Sequence, residues 1–366
     1  MAGPPTNDPS TPIRASTDAG ALRHNLARVR SLAPRSRVLA VIKANGYGHG
    51  LEAVARALDG VDGYGVARLD EALALRAAGI EARILLLEGV FDAAQLAAAA
   101  QARLDVMVHS PGQLELLEQR DGREPLGAWL KVDTGMNRLG FRSADCRAAH
   151  ARLLRAPGLT GEVVIATHFA ASEDATDPST AAQLESFTAA TAGLPGPRSL
   201  ANSAGVLDWP ASHADWVRPG IMLYGITPGT SGTGADLGLR PAMRLTTRVI
   251  AVRDVPAGEA VGYNGTWRAT RDSRIAVVAA GYGDGYPRAA RAGTPVAVNG
   301  VCRPLAGRVS MDMLTVDVTG DDAVRVGDPV ELWGPGNPAE SVARAAGTIA
   351  YELTCRVSSR VPRTAG

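Results

Sequence analysis

Of the 38 basic residues in this sequence only two are lysines, Lys43 and Lys131; all the others are arginines. Alanine is abundant too, a pattern in which arginine replaces lysine wherever a guanidinium suffices. A lysine that survives such a bias is a candidate for chemistry that needs a deprotonatable amine. Lys43 ends the apolar run Val38–Ile42 and is followed by Ala44-Asn45-Gly46-Tyr47-Gly48-His49-Gly50. A cation is costly there, which suits a Schiff-base or general-base lysine; the alternative is a surface lysine whose stem snorkels. Lys131 lies in a second apolar run, with Arg138 seven residues on. His168, Asn202, Ser203 and the stretch Arg218-Pro219-Gly220-Ile221 end three further runs. Taken singly, His168 reads as a structural histidine as readily as a catalytic one, and Ser203 and Gly220 as turn residues. On one rim, these lysine, arginine, histidine and serine side chains with free amides suit an anionic, phosphorylated ligand and an aldehyde-type cofactor.

The elements that must position them change texture along the chain. Eight short apolar runs, 37–44, 63–67, 83–87, 104–108, 128–132, 162–167, 198–202 and 216–223, alternate with Ala/Leu/Glu/Arg-rich stretches such as Leu69–Ala78, Phe91–Gln101 and Thr180–Thr191. Runs without polar alternation read as strands buried on both faces. Eight of them predict an α/β fold, a (β/α)8 TIM barrel; an open doubly wound sheet shares the pattern but not the count. After about residue 240, Thr246–Asp254, Arg274–Ala279, Thr294–Val298 and Met313–Val318 alternate and are separated by turn signals, which predicts a mostly antiparallel β domain. The expected division is a disordered lead-in over 1–12, a barrel over 13–240, and a C-terminal β domain over 241–366 that closes with a helix over Ser341–Cys355. That second domain offers Gly262-Tyr263-Asn264, Gly281-Tyr282-Gly283-Asp284 and Ser310-Met311-Asp312. The glycine-spaced stretch lacks the βαβ context of a dinucleotide fingerprint, and composition alone does not rank Tyr263 above its neighbours.

A net charge of +1 argues against a nucleic-acid partner, and no apolar run reaches membrane-spanning length. The first residues carry no secretory signal. Cys146, Cys302 and Cys355 are sparse and unpaired in sequence, which fits reduced thiols in a cytoplasmic protein. No zinc-spaced cluster or phosphate-loop motif occurs, so no metal is expected.

Seven segments occur in the order found in one family: AVIKANGYGHG at 40–50, KVDTGMNRLG at 131–140, THFA at 167–170, ANSAG at 201–205, VRPGIMLYG at 217–225, GYNGTW at 262–267 and GRVSMDM at 307–313. On these the sequence resembles alanine racemase, a pyridoxal-phosphate enzyme built from a barrel and a β domain. Gly46 stands where the family more often has alanine, and Ser310 where it often has cysteine.

The resemblance implies racemisation of L- and D-alanine on pyridoxal 5'-phosphate, supplying D-alanine for the peptidoglycan cell wall. It makes Lys43 the cofactor lysine and one catalytic base, and Tyr263 the opposing base, contributed by the partner of a head-to-tail homodimer. Two groups suit the chemistry, because a proton leaves one face of Cα and returns to the other. Arg218 would face the pyridine nitrogen, with His168 orienting Arg218 and Tyr263. Tyr47, Asn202, Ser203, Gly220, Ile221 and Tyr351 match cofactor-binding positions, mostly around the phosphate. Arg138 and the Met311 amide would hold the substrate carboxylate, while Tyr282 and Asp312 line the entrance. Lys131 matches a lysine that many members carbamylate. A racemase of serine or lysine remains open, since one or two side chains decide it. A basic amino-acid decarboxylase fits Arg218 and Tyr263 poorly, and a non-catalytic cofactor-binding barrel would lack the second domain.

Overall fold

The computed structural model describes residues 11–366, so the proposed lead-in lies outside the described residues as far as position 10. Eight parallel strands, Arg37–Val41, Gly63–Val66, Ile84–Leu86, Asp105–Val108, Gly127–Asp133, Val164–Ala166, Arg198–Ser199 and Trp216–Val217, pair in sequence order, and the last closes on the first. Seven fall within the expected apolar runs, and the fifth, Gly127–Asp133, extends its run 128–132 by one residue at each end. Every residue of Gly63–Val66 and Asp105–Val108 is buried, because helices cover the outside and side chains fill the inside. The interior is packed by Leu39, Leu85, Met107, Trp129, Val164, Ala166 and Trp216. The two indole rings lie 5.4 Å apart near the end where the strands begin. Trp129 Nε1 donates to Asp105 Oδ2 at 2.9 Å, and the Arg37 guanidinium sits 4.4 Å from the Trp216 ring centre. That end is closed, so access to the interior is from the opposite rim.

The second domain is organised on one long strand, Met243–Val255, whose first residues alternate buried and exposed as an antiparallel strand requires. It pairs with Ser273–Val278 on one stretch and Pro329–Trp333 on another. Pro295–Val298 and Val301–Pro304 form a hairpin across Asn299 and Gly300, whose φ values of 51° and 79° are those of a two-residue primed turn.

Two details differ from the sequence expectation. Arg14–Thr17, on the barrel side of the expected boundary, is a strand of the second domain: it pairs antiparallel with Met243–Thr246 and parallel with Arg363–Ala365. Its four residues show no pattern that reveals partners more than two hundred positions away. The closing helix is two helices, Ala339–Ala346 and Ala350–Cys355, broken where Gly347 turns left-handed (φ 70°) and returns its amide to the carbonyls of Ala343 and Arg344.

Candidate active site

A cavity of about 550 Å³ opens at the rim where the barrel strands end. Lys43, Tyr47, Lys131, Arg138, His168, Asn202, Ser203, Arg218, Gly220, Ile221 and Tyr351 all line it. The first strand delivers Lys43 through a turn in which five consecutive residues, Ala44 to Gly48, have φ between 51° and 83°. Of those five, only Gly46 and Gly48 adopt this conformation without cost, whereas Ala44, Asn45 and Tyr47 are held in it. The turn is held by Gly46 N to Ile42 O at 2.8 Å, Gly48 N to Ala44 O at 2.9 Å, and Leu51 N to Asn45 Oδ1 at 2.9 Å. Such strain persists where surrounding contacts over-determine it, and here it aims Lys43 into the cavity while folding Tyr47 back beneath the eighth strand.

Tyr47 stacks on Tyr224 at 4.8 Å and lies 6.1 Å from Tyr351. A Cβ added to Gly220 would come within 2.4 Å of the Tyr47 hydroxyl, so only glycine fits this approach. Ser203 Oγ accepts from the amides of Gly220 at 2.9 Å and Met222 at 3.3 Å. Asn202 caps the helix Ser203–Asp208 by accepting from Gly205 N. Burial pushes the Tyr47 and Tyr351 phenols up, with neighbouring charges adding to it, so both stay neutral donors.

Arg218 is buried and held by neutral acceptors: Nη1 donates to Ser199 Oγ at 2.6 Å, and Nη2 to the carbonyls of Thr167 at 2.5 Å and Leu200 at 3.3 Å. No carboxylate pairs with it among the described residues, and burial lowers its pKa to about 10, so it remains a cation at neutral pH. The orientation expected from His168 therefore comes from Ser199, Thr167 and Leu200, two of which act through backbone that no side-chain pattern reveals. His168 itself is held neutral, its pKa well below the usual value through burial and through the repulsion of Arg218, Lys131, Arg138 and Lys43. Lys131 is lowered to about 7, first by burial and then by Arg218, Arg138 and Lys43. Among the described residues lining the cavity, the basic Lys43, Lys131, Arg138 and Arg218 outnumber the acidic Glu88 and Glu173, which favours an anionic occupant.

Tyr263, Tyr282, Met311 and Asp312 do not line it. They gather on an exposed face of the second domain, where Tyr263 is 65% and Met311 53% accessible. Tyr282 N donates to Ser310 O at 3.0 Å, Gly283 N to Met311 O at 2.8 Å, and Arg360 bridges Asp284 and Asp312 at 2.7 and 2.6 Å. Within one chain, then, the expected residues form two separate groups.

Family models described as the N-terminal and C-terminal domains of alanine racemase match residues 17–228 and 242–365. An alanine racemase of Shewanella baltica is 53% identical over 348 residues, covering 95% of this chain and 97% of its own. The biosynthetic alanine racemase of Pseudomonas aeruginosa superposes with a TM-score of 0.94 at 51% identity, over 97% of this chain and 99% of that one. The Bartonella henselae alanine racemase, solved with covalently bound pyridoxal phosphate, gives 0.88 at 32% identity over 98% of this chain and 100% of its own. By sequence, domain composition and fold, the chain belongs to the alanine racemase family.

Proposed function

We propose that this alanine-racemising isomerase holds pyridoxal 5'-phosphate in the barrel cavity and uses two acid–base groups, Lys43 and the Tyr263 of a second copy. The residues present fit the cofactor. Arg218 is the observation that carries the reading: a buried guanidinium whose charge no carboxylate neutralises is free to donate to a ring nitrogen. Gly220 keeps open a space that a Cβ would fill against Tyr47, next to the hydroxyls of Ser203 and Tyr351 and the amide of Ile221, which suits a phosphate. Lys43 would hold the aldehyde carbon. When bound, the cofactor supplies an electron sink that acidifies the Cα proton of alanine.

Lys43 would take or return the proton on one face of Cα, and Tyr263 would do so on the other. Because Arg218 keeps its proton, it would leave the ring nitrogen unprotonated and limit delocalisation into the ring, which disfavours side reactions such as transamination. Arg138 pairs with the substrate carboxylate, helped by the Met311 amide, and Tyr282 and Asp312 border the entrance. Lys131, with a pKa near 7, is partly a free amine and can take up CO2; the resulting carbamate would pair with Arg138. The head-to-tail dimer is supported by the exposure of Tyr263, Tyr282 and Met311, and by Phe91 and Leu139, exposed apolar side chains that line the cavity. One copy's cluster would cover the other's cavity, twice per closed dimer. Three free cysteines fit the cytoplasm, and D-alanine for the cell wall is the product's use. Circular-dichroism racemisation assays on L-alanine, L-serine and L-lysine, with and without added cofactor, test this. Alanine turns over fastest and only with cofactor; equal rates on serine or lysine would make it a broad racemase.

A further inference from the structure

Gln183 sits on the helix Ser179–Thr191, outside the barrel, on the stripe Thr180, Gln183, Phe187 and Thr191 that faces the strands. It is 2% exposed, and an amide in that position is costly unless every polar atom finds a partner. All do. Oε1 accepts from Ala170 N at 2.9 Å, and Nε2 donates to His168 O at 3.0 Å and to Thr134 Oγ1 at 3.1 Å. A backbone amide needs an oxygen and a carbonyl needs an N–H, so the orientation of the side chain is unambiguous.

These partners belong to two loops that carry site residues. Thr134 opens the turn to Arg138, in which Asp133 Oδ1 accepts from Gly135 N at 3.1 Å and Asn137 N at 3.0 Å. His168 and Ala170 belong to the loop after Val164–Ala166. The Thr134 hydroxyl also shares a hydrogen bond with Thr167 Oγ1, 2.8 Å away. Thr167 in turn gives its carbonyl to Arg218. One buried amide therefore joins the turn bearing Arg138 to the segment that holds Arg218.

We propose that Gln183 is a positioning residue: by fixing the Arg138 turn against the Thr167–His168 segment, it sets the affinity of the site for the substrate's carboxylate. The proposal rests on Arg138 as the carboxylate-binding residue. The test uses the holoenzyme and propionate, the carbon skeleton of alanine without its amine, with binding followed by calorimetry beside KM and kcat for L-alanine.

Gln183→Met keeps the shape and removes the hydrogen bonds. It should raise the propionate Kd and the alanine KM together, by about tenfold for a lost buried bond, with kcat and the visible cofactor band nearly unchanged. Thr134→Val should weaken propionate in the same direction, and adding it to Gln183→Met should cost little more, since both remove one link. Parent-like Kd and KM in folded Gln183→Met, or in Thr134→Val if the former does not fold, would overturn the proposal, as would additive losses in the double variant. Arg138→Met separates the two readings. If it loses propionate while Gln183→Met does not, only the role of Gln183 fails; if it binds propionate normally, both fail.

Discussion

The barrel rim and the exposed cluster of the second domain hold the two halves of the expected chemistry in opposite ways. At the rim the groups are buried and over-determined: a strained turn delivers Lys43, three acceptors grip Arg218, and only glycine fits at position 220. In the second domain, Tyr263 stands on a short turn beside left-handed Asn264 (φ 61°), two-thirds open to solvent. A preorganised site keeps its donors fixed before substrate arrives; an exposed base gains its environment only when another surface closes on it. On the proposed reading, each barrel rim would carry a whole cofactor cradle but one member of the acid–base pair, while the other stands apart on the second domain of the same chain.

The largest effect should come from breaking the rim. Lys43→Ala should lose the visible cofactor band and at least about a thousandfold in racemisation, having lost both attachment and base. A normal band in that variant would remove Lys43 from the role. Tyr263→Phe should separate the halves, keeping the band while racemisation falls roughly a hundredfold to ten-thousandfold, as for loss of a general acid–base group. Near-parent rates in both directions would leave the exposed cluster without its proposed part.

Next is the seam between the domains. A Cβ on Gly48 would lie 1.9 Å from the carbonyl oxygen of Thr354, in the helix that also carries Tyr351, and at a left-handed φ of 83°. Gly48→Ala should therefore lower Tm by about 6 °C, reflecting overpacking and strain of a few kcal/mol. An unchanged Tm would mean that the turn is not clamped there.

The mildest test titrates the rim. Lys131 is mainly charged below about pH 7 and mainly a neutral amine above it. Only the neutral amine reacts with CO2, so a carbamate signal from 13C-bicarbonate should grow from pH 6 to pH 8 and vanish in Lys131→Ala. That variant should raise KM for alanine by about tenfold, the scale of one lost charge-assisted contact. A signal that persists without Lys131 would assign the carbamate elsewhere.

How much of this was legible in the sequence follows the same division. The eight strands could be read because burial on both faces leaves near-continuous apolar runs, and the rim lysines because arginine had replaced all others. The five-residue left-handed turn could not, since three of its residues are Ala44, Asn45 and Tyr47, whose conformation tertiary contacts impose. Ser199 and the carbonyls of Thr167 and Leu200 were invisible because backbone acceptors leave no residue-type signature. Gln183 left a faint signal, a polar residue on a buried helical stripe. Tyr263 emerged only through its family resemblance, because an exposed tyrosine on a turn has no local feature that marks it as a base.

The central claim, that the two halves meet between copies, is tested most directly by subunit complementation. Lys43→Ala and Tyr263→Phe chains, each inactive alone, are unfolded, mixed in equal amounts and refolded together with cofactor. If Tyr263 acts across the dimer, half of the dimers are mixed and each has one intact site, so about a quarter of parent activity should return. If Lys43 and Tyr263 serve the same chain, every site stays defective and the mixture remains as inactive as its components.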